Sequence, residues 1–307
     1  MKEKCLPDGV YPTMLTPYTP DNKVDYEAVA LMVEWYISQN CDGIFANCLS
    51  SEIDYLTLEE RKEILSVVMK TVNGRVPVVA SGMTVGDIDS QIEELRCMAE
   101  CGPDAVILIA SRMIGPDESE ELLKEKTMRI MDALPDCDFG FYECPVPYSR
   151  QLSPEFLRWC AGTDRFVFFK DTSCSIEAIK LKLDAVIGSR LKLFNANSAT
   201  LLESLKYGAA GLSGVMANIH PNWYSILVKA YIDGKYDKAS KMQNIIGGLS
   251  IFQYQKYPLN AKYYMALAGV SIKTVLSRNR PGEILDESNE REIEQFFNLS
   301  KYIDAII

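Results

Sequence analysis

The sequence predicts an α/β fold, a (β/α)₈ TIM barrel with a C-terminal helical extension. Short runs rich in β-branched and aromatic residues recur along the first two thirds of the chain, separated by amphipathic stretches. From run to run the spacing is roughly 20–35 residues, the size of one βα unit. Strands that are apolar throughout suit a parallel sheet covered on both faces. Eight such units in succession favour a closed barrel over a doubly wound sheet.

The elements follow from local patterns in chain order. Strands are predicted near residue 10 and at 43–46, 76–80, 105–109, 139–142, 166–169, 191–194 and 211–215. Helix starts are indicated by Asp25, the capping box at 57–60, Ser153-Pro154 and His220-Pro221. After residue 234 only helical spacing remains, at 236–249, 251–267, 272–276 and 290–306. We therefore predict a catalytic barrel at 1–234 and a helical region at 235–307.

Composition excludes several classes of function. The net charge is −10 and no cluster of lysine and arginine is interleaved with aromatic residues, so we expect no nucleic-acid partner. No apolar stretch approaches the ~20 residues of a membrane span, and residues 1–5 lack the apolar core of a secretion signal. Nine scattered cysteines fit a reducing compartment. We expect a cytoplasmic enzyme without a membrane partner.

Metal and triad chemistry are disfavoured because histidine is scarce. Cys97 and Cys101 lie one helical turn apart, but no histidine is near them to complete a zinc site. His220 is the one histidine of the chain. A serine triad must recruit it, and we expect it to be a loop or cap residue beside Pro221. We predict no metal and no cofactor, so carbonyl chemistry rests on amine, phenol and hydroxyl groups.

Lys170 is the candidate nucleophile because it ends the apolar run 166–169. An ammonium in such a place is either paired or becomes a neutral amine that attacks carbonyls. The alternative is a lysine that closes a strand and extends into solvent. Tyr142 ends the preceding predicted strand, and parallel neighbours bring both residues to one sheet edge. A phenol beside an amine can move the protons that imine formation requires.

Ordered motifs at the predicted strand ends carry a family resemblance. They are Thr16-Pro17, Cys48-Leu-Ser-Ser-Glu52, Tyr142-Glu-Cys-Pro145, Lys170-Asp-Thr-Ser173 and Gly211-Leu-Ser-Gly-Val-Met-Ala-Asn218. Together they span nearly the whole chain, which therefore resembles the pyruvate-dependent class I aldolases that include dihydrodipicolinate synthase and N-acetylneuraminate lyase. The resemblance implies a Schiff base between Lys170 and a pyruvate-type 2-keto acid. It also implies an enamine intermediate, Tyr142 as the proton carrier, and a dimer or tetramer. The aromatic stretch 252–257 is either a contact in that assembly or part of the core.

The family motif after the second strand is Gly-x-x-Gly-Glu, and its central residues hold the pyruvate carboxylate. By resemblance, the carboxylate site here comprises Leu49, Ser50 and Ser51, with Ser50 offering a hydroxyl and a backbone N–H. Cys48 and Ser51 replace both glycines, which would reshape the turn if it needs positive φ. Leu49 removes a hydroxyl that in the synthase joins the proton relay to the tyrosine.

The positions that grip the second substrate also differ. Met113 and Pro147 stand where the synthase uses a tyrosine and an arginine for its amino-acid semialdehyde, although Arg112 and Arg150 are near enough to substitute. Asn197-Ser198 replaces the acidic pair of the sialic acid lyases.

Neutral polar groups therefore dominate the predicted second-substrate site, and they suit a shorter hydroxylated aldehyde, as in 2-keto-3-deoxy sugar acid aldolases. The residues are Thr172, Asn195, Asn197 and Ser213. Ordinary loop capping explains the same residues equally well.

Three functions stay open at this point. The first is a lyase that cleaves or forms a C–C bond between pyruvate and an aldehyde. The second uses the same imine for dehydration, decarboxylation or dihydrodipicolinate synthase-like activity. The third is a binding or regulatory barrel whose altered loop at 48–51 has lost turnover.

Overall fold

A computed structural model describes residues 5–307 as eight parallel strands that alternate with helices. The strands are β1 (Gly9–Val10), β2 (Ile44–Ala46), β3 (Val78–Ala80), β4 (Ala105–Ile109), β5 (Phe139–Tyr142), β6 (Phe166–Asp171), β7 (Lys192–Asn195) and β8 (Gly211–Leu212). The helices are α1 (Tyr26–Ser38), α2 (Leu58–Val72), α3 (Ile88–Ala99), α4 (Ala110–Met113), α5 (Glu120–Ala133), α6 (Pro154–Gly162), α7 (Ile176–Val186), α8 (Leu201–Lys206), α9 (Pro221–Ile232), α10 (Tyr236–Leu249), α11 (Leu259–Leu267) and α12 (Glu287–Asp304).

The sheet closes on itself, so the predicted TIM barrel is confirmed. Its order is β1-β8-β7-β6-β5-β4-β3-β2, with every paired neighbour parallel. The two end strands meet through a parallel bridge between Thr13 and Phe45, where Met14 donates to the Phe45 carbonyl at 2.9 Å. Each predicted strand overlaps one of the eight observed strands. Closure leaves few unpaired backbone groups at the seam.

Aromatic rings fill the barrel interior. Tyr11 and Phe194 have ring centroids 4.6 Å apart, Phe168 and Phe194 4.7 Å, and Phe45 and Phe168 5.8 Å. All four residues are buried. Large rings in the interior make it a packed core, so open space for a ligand is confined to the ends of the strands.

All four predicted helix starts are confirmed, and at three of them the N-cap side chain accepts a backbone hydrogen bond. Asp25 accepts from the Ala28 N–H, Thr57 and Glu60 form the reciprocal capping box, and Ser153 caps α6 with Pro154 in its first turn. At the fourth, His220 is the N-cap residue of α9 but makes no side-chain cap bond.

The helical region after residue 234 differs from prediction at one segment. Residues 272–276 were predicted from helical spacing, but they form no helix, and Thr274 instead pairs with Tyr18 in an antiparallel bridge. The predicted stretch 251–267 is also divided, into a 3₁₀ turn at Ser250–Tyr254 and α11. Within residues 5–307, no helix is long and apolar enough to cross a membrane. No group of three or more potential metal ligands occurs in that same range.

His220 lies inside an aromatic cluster. Its ring stacks on Trp223 at 4.1 Å and Tyr224 at 5.3 Å, and Phe296 contacts it edge-on. In the part of the chain that the structure describes, neither ring nitrogen has a hydrogen-bond partner. Burial lowers the pKa of His220 from 6.5 to about 3. The imidazole therefore stays neutral in the folded protein and serves as a packed ring.

His220→Phe should make the protein less sensitive to acid. Below pH 6.5 the unfolded chain protonates His220 and the folded protein does not, so the wild type loses about 1.4 kcal/mol of stability per pH unit from this group as pH falls towards 3. Urea unfolding at pH 7 and pH 5 measures the effect. The wild type should lose about 2 kcal/mol more than the variant over that interval. Equal losses in both proteins would show that His220 is protonated when folded.

Candidate active site

A cavity of about 810 Å³ opens at the carboxyl ends of the strands. Its lining includes Leu49 and Ser50 after β2, Tyr142 at the end of β5, and Lys170 and Thr172 at β6. The segment 250–258 between α10 and α11 covers one side. A smaller cavity of about 660 Å³ beside α10 and the chain end contains none of the predicted site residues. The larger cavity is thus the candidate site, at the face where TIM barrels hold their chemistry.

Lys170 and Tyr142 meet as predicted, because they are direct register partners in the β5–β6 ladder. The Lys170 Nζ lies 4.3 Å from the centroid of the Tyr142 ring and 5.6 Å from that of Phe45. Lys170 retains only 3% of its exposed surface, so the reading of a lysine extended into solvent is wrong. Its amine packs over the aromatic faces, an arrangement that stabilises the charged form weakly.

The amine of Lys170 is easy to deprotonate. Burial lowers the pKa of Lys170 from 10.5 to about 8, while nearby Cys48 and Cys144 act in the opposite direction. Among the described residues, no carboxylate forms an ion pair with Lys170. Burial also raises the pKa of Tyr142, so its phenol stays protonated at neutral pH. The pair therefore combines an amine that is partly neutral near pH 7 with a phenol that donates a proton.

A buried ion triad lies directly behind this pair. The Lys182 Nζ contacts Glu143 Oε1 at 2.7 Å and Asp171 Oδ2 at 2.6 Å. Glu143 follows Tyr142, and Asp171 follows Lys170, so one ammonium from α7 ties the ends of both strands. Burial raises the pKa of Glu143 to about 7, Lys182 opposes that rise, and Asp171 adds to it. Thr172 completes the connection, since its Oγ1 donates to the Glu143 carbonyl at 2.6 Å.

The loop after β2 keeps a defined turn without its two glycines. Cys48 has φ −103°, and Leu49–Ser51 form a 3₁₀ turn, so neither replaced position needs positive φ. Positive φ occurs instead at Asn47 (48°) and Glu52 (61°). The Ser51 hydroxyl accepts from the Cys48 N–H at 3.1 Å and donates to the Met14 carbonyl at 2.6 Å. The serine at this glycine position therefore stabilises the turn.

Glu52 fixes this loop to the helical region through contacts that sequence reasoning missed. Its carboxylate binds the Lys262 Nζ at 2.7 Å and accepts from the Ser277 hydroxyl at 2.7 Å and the Asn279 N–H at 2.9 Å. Glu52 and Lys262 are fully buried. No local pattern signals a pairing across 210 residues. The Leu276 carbonyl, at the end of the non-helical segment 272–276, also accepts from Lys262 Nζ at 2.8 Å.

Tyr257 is a second residue that sequence reasoning missed. It lines the same cavity as Lys170 and Ser50, and its phenolic oxygen accepts from Asn218 Nδ2 at 3.0 Å. The sequence indicated only an aromatic segment at 252–257 that is either core or an assembly contact. Within that segment, Phe252 packs on Phe296 at 4.3 Å and Tyr254 is exposed.

A sequence model described as the dihydrodipicolinate synthetase family matches residues 6–298. The chain belongs to this family. Its curated relatives include 4-hydroxy-tetrahydrodipicolinate synthases of Psychrobacter sp. (strain PRwf-1), 28% identical over 262 residues and 85% of each chain, and of Clostridium perfringens (strain SM101 / Type A), 27% identical over 75% of this chain and 77% of that one.

Solved structures show the same fold. A prophage protein of E. coli K12 from the dihydrodipicolinic acid synthase family, in complex with pyruvate, matches with a TM-score of 0.86 and 22% identity over 96% of this chain and 98% of that one. A monomeric dihydrodipicolinate synthase variant matches with a TM-score of 0.87 and 18% identity, covering 97% and 98%. Members of the dihydrodipicolinate synthetase family are class I aldolase-type lyases that form a Schiff base, so the predicted enzyme class is confirmed.

Only some of the residues that were predicted to bind substrate line the cavity. Leu49, Ser50, Thr172 and Asn197 do, whereas Ser51, Asn195 and Ser213 are not among the described lining residues. The Asn195 amide donates to Thr200 and Ser204 and orders the loop after β7. The Asn197 side chain accepts from the Ala199 N–H at 2.8 Å, which is the loop-capping alternative. Substrate contact is thus not supported for Ser51, Asn195 and Ser213.

Neither Arg112 nor Arg150 is free to take the place of the arginine that the synthase uses. Arg112 donates to the Met83 carbonyl and to Asp54, both at 2.7 Å. Arg150 donates to the carbonyls of Pro116 and Glu118, both at 2.8 Å. Met113, at the position of the synthase tyrosine, is buried in α4. A different guanidinium, that of Arg280, lines the cavity and pairs with Glu283 at 2.9 Å.

Lys182→Met should destabilise the protein by about 3–5 kcal/mol at pH 8, because it leaves two buried carboxylates without a cation. The loss of stability should be smaller at pH 5.5. There the Glu143 carboxyl group, whose pKa is raised, binds a proton in the folded variant, and the repulsion between the two carboxylates is relieved. Urea unfolding at both pH values measures this. Lys180→Met, an exposed position on the same helix, is the matched control and should change little. A pH-independent deficit would contradict an electrostatic role of the triad.

Proposed function

We propose that Lys170 is the Schiff-base lysine and that the protein cleaves or forms the C–C bond between pyruvate and a hydroxylated aldehyde. The observation that carries this proposal is the buried amine of Lys170, with a pKa of about 8, packed on Tyr142 at the base of the cavity. A neutral amine in a partly dry site attacks carbonyl groups. The pyruvate complex of the E. coli prophage protein supports a pyruvate-type substrate.

The proposed cleavage proceeds through an enamine. The Lys170 amine adds to the ketone at C2 of a 2-keto acid, and loss of water gives an iminium. Tyr142 gives its phenolic proton to the hydroxyl that leaves as water, so its phenolate can then accept the proton of the C4 hydroxyl. As that proton leaves, the C3–C4 bond breaks, the aldehyde departs and the electron pair enters the iminium to form an enamine. Protonation at C3 and hydrolysis return pyruvate and the free amine. Tyr142 is the proton carrier, because its phenol stays protonated in the resting site and lies against the amine.

The lining of the cavity supports a 2-keto-3-deoxy sugar acid or a related polyhydroxylated 2-keto acid as substrate. Thr172 donates its hydrogen to Glu143 and Asn197 uses its oxygen to cap Ala199, which leaves the Thr172 oxygen as an acceptor and the Asn197 NH2 group as a donor for a polyol. Arg112 and Arg150 are committed to protein acceptors and so offer no bidentate grip for an amino-acid carboxylate. Assembly as a dimer or tetramer and a cytoplasmic location stay predictions.

A synthase-like reaction with an amino-acid semialdehyde is the second candidate. Two observations favour it: the curated relatives are named 4-hydroxy-tetrahydrodipicolinate synthases, and Arg280 at the cavity is a cation that could receive a carboxylate. The screen below separates the two.

Trapping with pyruvate and cyanoborohydride should place a reduced adduct on Lys170, located by peptide mass spectrometry. The trapping rate should rise about tenfold per pH unit up to pH about 8 and then level off, since only the neutral amine attacks. Lys170→Ala should give no adduct and no turnover, while Lys180→Ala should behave as wild type. A rate that still rises tenfold between pH 8.5 and 9.5 would contradict a lowered pKa.

Pyruvate release should be observed with 2-keto-3-deoxy sugar acids, in a coupled assay with lactate dehydrogenase. Asn197→Asp, which keeps the oxygen that caps Ala199 and removes the NH2 donor from the lining, should lower kcat/KM for such a substrate by about 10-fold, the usual effect of one hydrogen bond. Aspartate semialdehyde with pyruvate is the comparison. Turnover confined to the semialdehyde, and lost in Arg280→Ala, would favour the synthase-like reaction instead.

A further inference from the structure

The hydroxyl of Tyr257 belongs to a connected group of side chains at the wall of the cavity. Its oxygen accepts from Asn218 Nδ2 at 3.0 Å, and the same Nδ2 lies 3.4 Å from Thr13 Oγ1. Ser50 Oγ in turn donates to Thr13 Oγ1 at 3.2 Å. Three parts of the barrel, after β1, β2 and β8, thus meet at one phenol from the helical region.

Asn218 holds this group in place. Its Nδ2 also donates to the Thr13 carbonyl at 2.8 Å, and its Oδ1 accepts from the Tyr36 hydroxyl at 2.5 Å. Asn218 is fully buried. Since the amide donates to the Tyr257 oxygen, the phenolic hydrogen is directed elsewhere, to a neighbouring hydroxyl or to a ligand. Burial raises the pKa of Tyr257, so the hydrogen is retained across the neutral range.

The Tyr257 phenol matters because Leu49 places an apolar side chain in the same cavity. Leu49, Ser50, Tyr257 and Lys170 line one cavity, and the side chain at 49 cannot donate a hydrogen bond. A second side-chain donor to a carboxylate held at Ser50 must therefore come from another element. Tyr257 lines the same cavity and can supply that donor. Hydrogen bonds from hydroxyls to a carboxylate are charge-assisted and stronger than neutral ones.

We propose that Tyr257 and Ser50 together bind the carboxylate of a short 2-keto or 2-hydroxy acid, with Tyr257 providing the hydroxyl that Leu49 lacks. The imine chemistry of this ligand rests on the proposed function, but its carboxylate binding does not. The specificity follows from the geometry: the phenol and the serine hydroxyl are adjacent, and a carboxylate has two oxygens to receive them.

Tyr257→Phe tests the proposal by steady-state kinetics with pyruvate as a substrate or by concentration-dependent trapping. We expect the KM, or the half-saturating pyruvate concentration, to rise 10-fold or more while kcat changes less than 3-fold. Tyr302→Phe, an exposed tyrosine on α12, is the matched control and should leave both values unchanged. An unchanged half-saturation in Tyr257→Phe would overturn the proposal.

A rescue experiment separates ligand binding from a purely structural role. Leu49→Thr added to Tyr257→Phe returns a hydroxyl to the cavity and should recover at least half of the lost affinity on a logarithmic scale. A structural role of the phenol in joining the barrel to the helical region predicts a lowered melting temperature and no recovery, and that result would overturn the proposal.

Lactate distinguishes this proposal from the proposed function, because it has the carboxylate but no ketone. Calorimetry should show that lactate binds the wild type and Lys170→Ala alike and binds Tyr257→Phe at least 10-fold more weakly. If pyruvate gives no adduct on Lys170 but lactate shows this pattern, the imine assignment fails and the carboxylate site stands. If pyruvate is trapped but lactate affinity is the same in Tyr257→Phe and wild type, the carboxylate site fails alone.

Discussion

The register between β5 and β6 is the constraint on which the candidate site depends. It sets Tyr142 opposite Lys170, and the Glu143 N–H donates to the Lys170 carbonyl at 3.2 Å. Side chains alternate along a strand, so Lys170 lines the cavity while Asp171 reaches Lys182 on α7. A shift of the β6 register by one residue would turn Lys170 away from the cavity and Asp171 towards it. The ion triad opposes that slip, because its carboxylates come one from each strand end.

Three buried lysines show how partners decide the role of an amine. Lys182 contacts two carboxylates and Lys262 contacts one, so both ammonium groups join elements of the fold. Burial lowers the pKa of Lys262, but Glu52 opposes that effect. Lys170 has aromatic faces in place of a carboxylate, and its pKa falls to about 8. Burial alone does not make a nucleophile; burial without a counter-ion does.

The sequence was sufficient to predict the eight strands and the residues at which they end. Apolar runs of strand length end where the cavity begins, so Tyr142 and Lys170 could be placed together from spacing alone. Tyr257 and Lys262 could not, because their partners Asn218 and Glu52 lie 39 and 210 residues away and no periodicity indicates such pairs. The position of His220 before Pro221 correctly indicated a cap residue, but it could not indicate that the ring is buried by Trp223 and Tyr224.

The turn after β2 shows that loss of glycine need not disable a binding loop. Positive φ is required at Asn47 and Glu52, which flank the two replaced positions, and Glu52 is held there by Lys262, Ser277 and Asn279. Strain at a non-glycine residue persists when such contacts over-determine it. Ser51 adds two hydrogen bonds that a glycine could not make. Leu49 is then the one replacement that subtracts a polar group from the cavity. The altered motif at 48–52 therefore changes which hydrogen-bond donors surround the Lys170 amine and the Tyr142 phenol, while both of these groups are kept. Such a change favours altered substrate recognition over lost catalysis.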